Sequence, residues 1–175
     1  MIKFLIDSNY DVKAPVRDTG NAGVDFFIPN YSEAFVEAFK TKNAERNANL
    51  VKLDDEWVIR IEPHGRANIP SGIRSYISPN VALEAQNKSG IATKHGLVYG
   101  ASVVDANYQG INHISLINTT DKTIDLPLGM KAVQFIPRLI DISPIEVYNN
   151  MSLEEFYKDF EFSNRGEGAF GSTGV

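Results

Sequence analysis

The chain repeatedly breaks off a short apolar-alternating run with Gly, Pro, Asn or Asp, and that rhythm limits its fold more than any other feature. Segments of this kind cover Val58–Glu62, Gly72–Ser78, Val81–Gln86, Val98–Val104, His113–Asn118, Thr123–Leu126 and Met130–Ile136. Each is strand-length and none is followed by a helix-length amphipathic stretch, so alternating βαβ units are disfavoured. The expectation is an all-β, jelly-roll-like sandwich or barrel. Met1–Asp7 reads as a first strand with Ile2, Phe4 and Ile6 on one face. It is too short, and too soon charged, for a secretory signal.

Two segments depart from this rhythm. Ser32 to about Asn47 reads as a helix capped by Ser32, with Phe35, Val36 and Phe39 on one face. Asn43–Asn49 is polar and reads as a loop tip. Ser152–Phe160 carries a capping box (Ser152, Glu155), a staple pair (Met151, Phe156) and a stripe of Leu153, Phe156, Tyr157 and Phe160. That stripe is expected to pack into the core and to tether the glycine-rich tail after it. The last eleven residues, Arg165–Val175, contain four glycines, one arginine, one aromatic ring and two hydroxyls. Such a tail cannot build a core of its own, because glycine loses the most conformational entropy on ordering. Its groups suit a nucleotide, and the alternative is a frayed terminus.

At 175 residues, one domain spanning 1–160 with a tail at 161–175 is the simplest organisation. A net charge of −5 argues against a protein that coats nucleic acid, while leaving room for one nucleotide held by a few local cations. Zero cysteines remove disulfides, thiol nucleophiles and zinc–thiolate sites together. No run approaches the ~20 apolar residues that cross a bilayer. A soluble, cytoplasmic protein is the expectation.

Four places could carry chemistry. Asp105 follows two valines at a strand end, where a carboxylate could act as a general base toward water; the alternative is a turn aspartate. Tyr108, three residues on, suits packing on a sugar ring or on a sheet surface. Asn87-Lys88-Ser89-Gly90, at a strand-to-loop junction, offers a cation and a hydroxyl to phosphate without the Walker spacing. Gln134 shares a strand face with Ala132 and Ile136 by period 2, which would aim its amide into apolar surroundings. Asp25 reads as a turn residue that supports the site. His64, His95 and His113 fit no zinc pattern.

Taken in order, Ala22-Gly23-Val24-Asp25, Lys88-Ser89-Gly90, Gly100–Gly110 with its Asp-x-x-Tyr-x-Gly core, Gly129–Pro137 and Arg165–Gly174 resemble the five motifs of the homotrimeric dUTP pyrophosphatases. The resemblance implies a homotrimer with shared active sites and Mg²⁺-dependent hydrolysis of dUTP to dUMP and pyrophosphate. That reaction limits uracil in DNA and supplies dUMP for thymidylate synthesis. By resemblance, Asp105 activates the water that attacks the α-phosphorus. Tyr108 stacks on the deoxyribose, and Gly100, Ala101, Ser102, Val103 and Val104 read the uracil edge. Lys88, Ser89 and Gly90 hold phosphates, and Gln134 holds a water near them. The tail, with Gly171 among its substrate-binding residues, closes as a lid, with Phe170 over the base and Arg165, Ser172 and Thr173 near the phosphates. Mg²⁺ would ride on the triphosphate, with no direct protein ligand.

Three positions depart from the family pattern. Lys88 stands where arginine is usual, Ser102 where glycine is often found, and the stretch from about 31 to 66 is longer than in compact members. That stretch reads as a surface insertion and a candidate surface for a protein partner. A dCTP deaminase needs a glutamate three residues before an asparagine in the strand after the third motif; Ser115 stands there, before Asn118. The remaining alternative is a nucleotide-sensing module on the same scaffold with weak or no catalysis.

Overall fold

A computed structural model of the chain describes residues 1–158. In chain order the elements are β1 (Ile2–Ile6), β2 (Val24–Phe27), α1 (Glu33–Asn43), β3 (Ala48–Leu53), β4 (Glu56–Ile61), β5 (Arg66–Ile77), β6 (Val81–Asn87) and α2 (Ser89–His95). They continue with β7 (Leu97–Tyr99), β8 (Val103–Val104), β9 (Ile111–Asn118), β10 (Ile124–Pro127), β11 (Lys131–Leu139) and α3 (Leu153–Phe156). The strands form three antiparallel sheets, ordered β1-β5-β9-β7, β10-β4-β3 and β2-β11-β6-β8. The all-β expectation holds.

Strand β9 shows how the pattern becomes packing. Asn112, Ile114, Leu116 and Asn118 are buried while their neighbours are half-exposed, as a sheet with one face on the core requires. The two buried asparagines are satisfied. Asn118 donates to the carbonyls of Ile61, Glu62 and Lys122, and Asn112 pairs with Ser75. Phe26 contacts Phe135 of its own sheet at 4.7 Å and, across the sheets, Phe4 of β1 at 5.3 Å between ring centroids. Burying a ring of this size contributes roughly 1.5–3 kcal/mol, so these aromatics fix how the sheets carrying them meet.

Helix α1 begins as expected, with the Ser32 hydroxyl accepting from the Phe35 amide at 3.2 Å. It stops at Asn43 rather than near Asn47. The Asn43 side chain donates to the carbonyls of Phe39 and Asn68 and accepts from the Asn68 amide, clamping the helix end onto β5. The chain then turns, with Asn47 at φ 55°, into β3. The expected loop tip is thus part helix end and part strand. The segment from 31 to 66 adds Phe35, Phe39, Ile59 and Ile61 to the same buried cluster. Arg60 and Asp125, register partners on β4 and β10, form a bidentate pair at 2.8 Å that holds the three-stranded sheet together.

The chain divides into two compact units, Met1–Ile142 and one beginning at Ser143. In the second, Ser152 caps α3 as expected, its hydroxyl accepting from the Glu155 amide at 3.1 Å. The helix is only one turn long. Its stripe does not enter a core: Leu153 is 71% exposed, and Phe156 packs on Tyr148 and Tyr157 beside it. Four residues enclose too little surface to bury such a stripe alone. Phe160 lies outside the described residues.

Candidate functional site

Three of the sequence motifs converge on the sheet β2-β11-β6-β8. Asp25 on β2 is paired in register with Gln134 on β11, and Gln134 with Gln86 on β6. Asp25 is therefore a strand residue, not a turn residue. Its carboxylate accepts from the Lys88 ammonium at 2.6 Å and from Lys131 at 3.0 Å. Burial raises the Asp25 pKa, but the hydrogen bonds and charges of Lys88 and Lys131 outweigh it and hold the carboxyl below its ordinary range.

Gln134 does not point into apolar surroundings. Between Lys131 and Val133 the register slips, leaving Ala132 as an extra residue opposite Phe26 and Phe27. This bulge breaks the period-2 expectation: Ala132 and Val133 are both buried, and Gln134 comes out half-exposed. Its amide donates to the Asn87 carbonyl at 3.2 Å. Gly23 lies so close that a Cβ there would sit 2.6 Å from the Gln134 Oε1, so the glycine of the first motif makes room for the glutamine of the fourth.

Lys88 caps α2 through its backbone, and Ser89 and Gly90 begin that helix. The second motif thus sits at a strand-to-helix junction rather than at a strand-to-loop one. Space beyond Gly90 is open, with nothing within 4 Å of where a Cβ would stand. Asn87 ties the second motif to the third, its side-chain oxygen accepting from the Tyr99 amide at 2.6 Å. Burial pushes the Tyr99 phenol up to about 12, against its hydrogen bond to the backbone, so it stays protonated at neutral pH.

The expected strand Val98–Val104 is broken at Gly100-Ala101-Ser102. Its first part, β7, pairs with β9, and its second, β8, crosses to pair with β6 in another sheet. Gly100 has no room for a side chain, since a Cβ would meet the Ser115 hydroxyl at 2.9 Å. The Ser102 carbonyl accepts from the Ala85 amide at 2.7 Å, which pins this arch to β6. Asp105 comes directly after β8 and opens a turn closed by the Tyr108 amide on its carbonyl at 3.1 Å. The Tyr108 hydroxyl donates to the Ile111 carbonyl at 3.0 Å while its ring stays 41% exposed. Asp105 is exposed on a groove of about 550 Å³ with Tyr76, Ile77, Pro79, Ala106, Asn107 and Ile140.

Within one chain these two halves do not meet. Val104 is the register partner of Leu83, five residues before Lys88 along β6. The pairing is antiparallel, so Asp105 stands level with Ala82, six residues before Lys88, and at about 3.3 Å per residue the two lie roughly 20 Å apart along that strand. Arg165, Phe170, Gly171, Ser172 and Thr173 lie outside the described residues. His64 pairs with Asp121 on the surface, and no group of three or more His, Cys, Asp or Glu that could hold a metal occurs among the described residues. Sequence reasoning missed Lys131. A lysine at a strand start carries no signal by itself, and the bulge that turns it toward Asp25 depends on pairing.

A carboxylate-braced lysine cluster and an exposed carboxylate thus stand near opposite ends of β6 in one antiparallel sheet. Residues 51–174 match the dUTPase family. The chain is 33% identical over 155 residues to the deoxyuridine 5'-triphosphate nucleotidohydrolase of Actinobacillus succinogenes, covering 87% of this chain and 90% of that one. The Neisseria meningitidis enzyme of the same name is 34% identical over 143 residues, covering 80% and 88%. Among solved structures, the Staphylococcus bacteriophage 80alpha dUTPase with dUpNHpp superposes with a TM-score of 0.71 at 19% identity, over 100% of this chain and 99% of that one. A phage phi11 dUTPase, described for its coordination of a structural Mg(II) ion, gives 0.63 at 17% identity, over 86% and 98%. The chain belongs to the dUTPase family. No helix among the described residues is long and apolar enough to cross a membrane.

Proposed function

We propose that this protein hydrolyses dUTP to dUMP and pyrophosphate in active sites shared between copies of the chain. The observation that carries this reading is the convergence of the first, second and fourth motifs on the Asp25–Lys88–Lys131–Gln134 cluster, with Asp105 free at the far end of β6. Lys88, Ser89 and Gly90 bind phosphate oxygens, and Gln134 holds a water beside them. Asp105 takes a proton from the water that attacks the α-phosphorus, and pyrophosphate leaves. Tyr108, locked by its bond to Ile111, presents its ring to the deoxyribose; Gly100–Val104 take the uracil edge. Phe170 and Gly171 cover the base, and Arg165, Ser172 and Thr173 complete the phosphate contacts from the tail.

A homotrimer is supported by the roughly 20 Å separation, which a second copy closes by bringing its Asp105 to this chain's lysines. It is supported too by the apolar run Leu139, Ile140 and Ile142, of which Leu139 is 82% exposed in the single chain. Mg²⁺ fits this arrangement as a passenger of the triphosphate, because the cluster's carboxylate is committed to two ammonium groups. When bound, it offsets phosphate charge and polarises the reacting phosphoryl group.

The test is pyrophosphate release from dUTP, dCTP, dTTP and UTP, each with Mg²⁺ and with chelator. Release from dUTP alone, lost on chelation, is expected; no release from any of the four refutes the reading. Asp105→Asn should cut turnover by about 10²–10⁴ while sparing dUTP binding. Unchanged turnover removes Asp105 as the base.

A further inference from the structure

We propose that Lys131 is a second phosphate-binding cation of this site, acting with Lys88 as a two-ammonium fork. This rests on the reading of Lys88 and Gln134 as phosphate-side residues. Register pairing puts side chains of partner residues on the same sheet face, so Lys131 opposite Phe27 and Gln134 opposite Asp25 share one face. The bulge at Ala132 is what achieves this, because an unbroken strand would send residues 131 and 134 to opposite faces. The Lys131 ammonium indeed lies 5.8 Å from the Phe27 ring centroid, with Lys13 at 5.5 Å from the same ring.

Asp25 does not use up this charge. One carboxylate faces two ammonium groups, which leaves a surplus of one positive charge, and Lys13 adds another. The Lys131 side chain is 41% exposed and spends one of its three donors on Asp25. In a chain of net charge −5, two lysines on one carboxylate, with a third over the neighbouring Phe27 ring, form a local field of opposite sign, suited to a polyphosphate. A guanidinium would present two donors in a plane; a lone lysine cannot. Two lysines anchored on the two oxygens of one carboxylate restore a paired set of donors, which accounts for how the site works with Lys88 in place of arginine.

The experiment is a binding series with dUMP, dUDP and an α,β-imido analogue of dUTP, measured on the full chain by calorimetry with Mg²⁺. Wild type, Lys131→Met and Lys131→Arg are compared, with thermal melting to monitor folding. Lys131→Met should weaken the imido analogue roughly tenfold, leave dUMP within about twofold, and be rescued by Lys131→Arg. Equal losses on all three ligands would mean that Lys131 only braces Asp25, and would overturn the proposal. So would an unchanged affinity for the imido analogue in a protein whose wild type prefers triphosphate. A wild type that binds none of the three overturns the dUTP reading itself, and the proposal with it.

Discussion

Replacing Asp25 with asparagine tests the electrostatic centre of this sheet without changing its shape. Asp25 has a side chain only 16% exposed, and Lys88 is 26% exposed at 2.6 Å, so that pair is largely removed from water. A charge-assisted hydrogen bond in such a setting contributes about 1.5–3 kcal/mol. The Lys131 pair, at 3.0 Å with the lysine 41% exposed, is screened and adds less than about 1 kcal/mol. Asparagine keeps one acceptor and sheds the cost of burying a charge, so the net loss should be about 2 kcal/mol. For a domain of this size that corresponds to a fall in Tm of about 4–8 °C. The assay is thermal unfolding by circular dichroism at one fixed protein concentration, since self-association shifts Tm. The pH dependence supplies the control. The folded Asp25 pKa lies below its ordinary 3.8, so its stabilisation is present above the unfolded value and disappears as pH falls through the folded one. Wild type and Asp25→Asn should therefore differ at pH 7 and begin to converge only as pH falls below about 4. Equal melting at pH 7, or a difference that persists undiminished in acid, would refute the reasoning.

The other predictions concern catalysis. Gly23→Ala should push Gln134 from its place and cut kcat/KM for dUTP roughly 10–100-fold in steady-state assays, with little change in Tm. Gly110→Ala places a Cβ against the Tyr108 hydroxyl and should shift that ring; the dUTP-to-UTP ratio of kcat/KM should fall about tenfold. Deleting Arg165–Val175 should cost at least ~10²-fold in kcat/KM while size-exclusion chromatography shows the same assembly as the full chain. Full activity in the truncated chain would end the lid role.

Much of the site was legible because its motifs carry their chemistry in short contiguous runs. Lys88 announced a cation at a strand end and Asp105 a carboxylate after two valines, while Gly23 and Gly100 entered only through the motifs that contain them. Lys131 did not, because its direction comes from an extra residue in a pairing with β2. The same reason hid the exposure of Gln134. The split of Val98–Val104 was equally illegible: period 2 runs on through it, and only the crossing of β8 to β6 shows that the two ends serve different sheets. Helix α2 was missed because seven residues with a threonine and a glycine carry little helical signal.

By itself the sequence determined the strand-rich class, the helix cap at Ser32, the family and the residue types proposed to meet the nucleotide. Those are local properties: alternation, turn chemistry, a side chain matched to a backbone group, or a motif of fixed spacing. Tertiary structure alone decided which motifs stand together. It gathered Asp25, Lys88, Lys131 and Gln134 on one face and set Asp105 at the far end of β6, because strand register and one bulge are long-range pairings. No run of residues encodes such a pairing by itself, since each depends on which other strand is chosen as the neighbour.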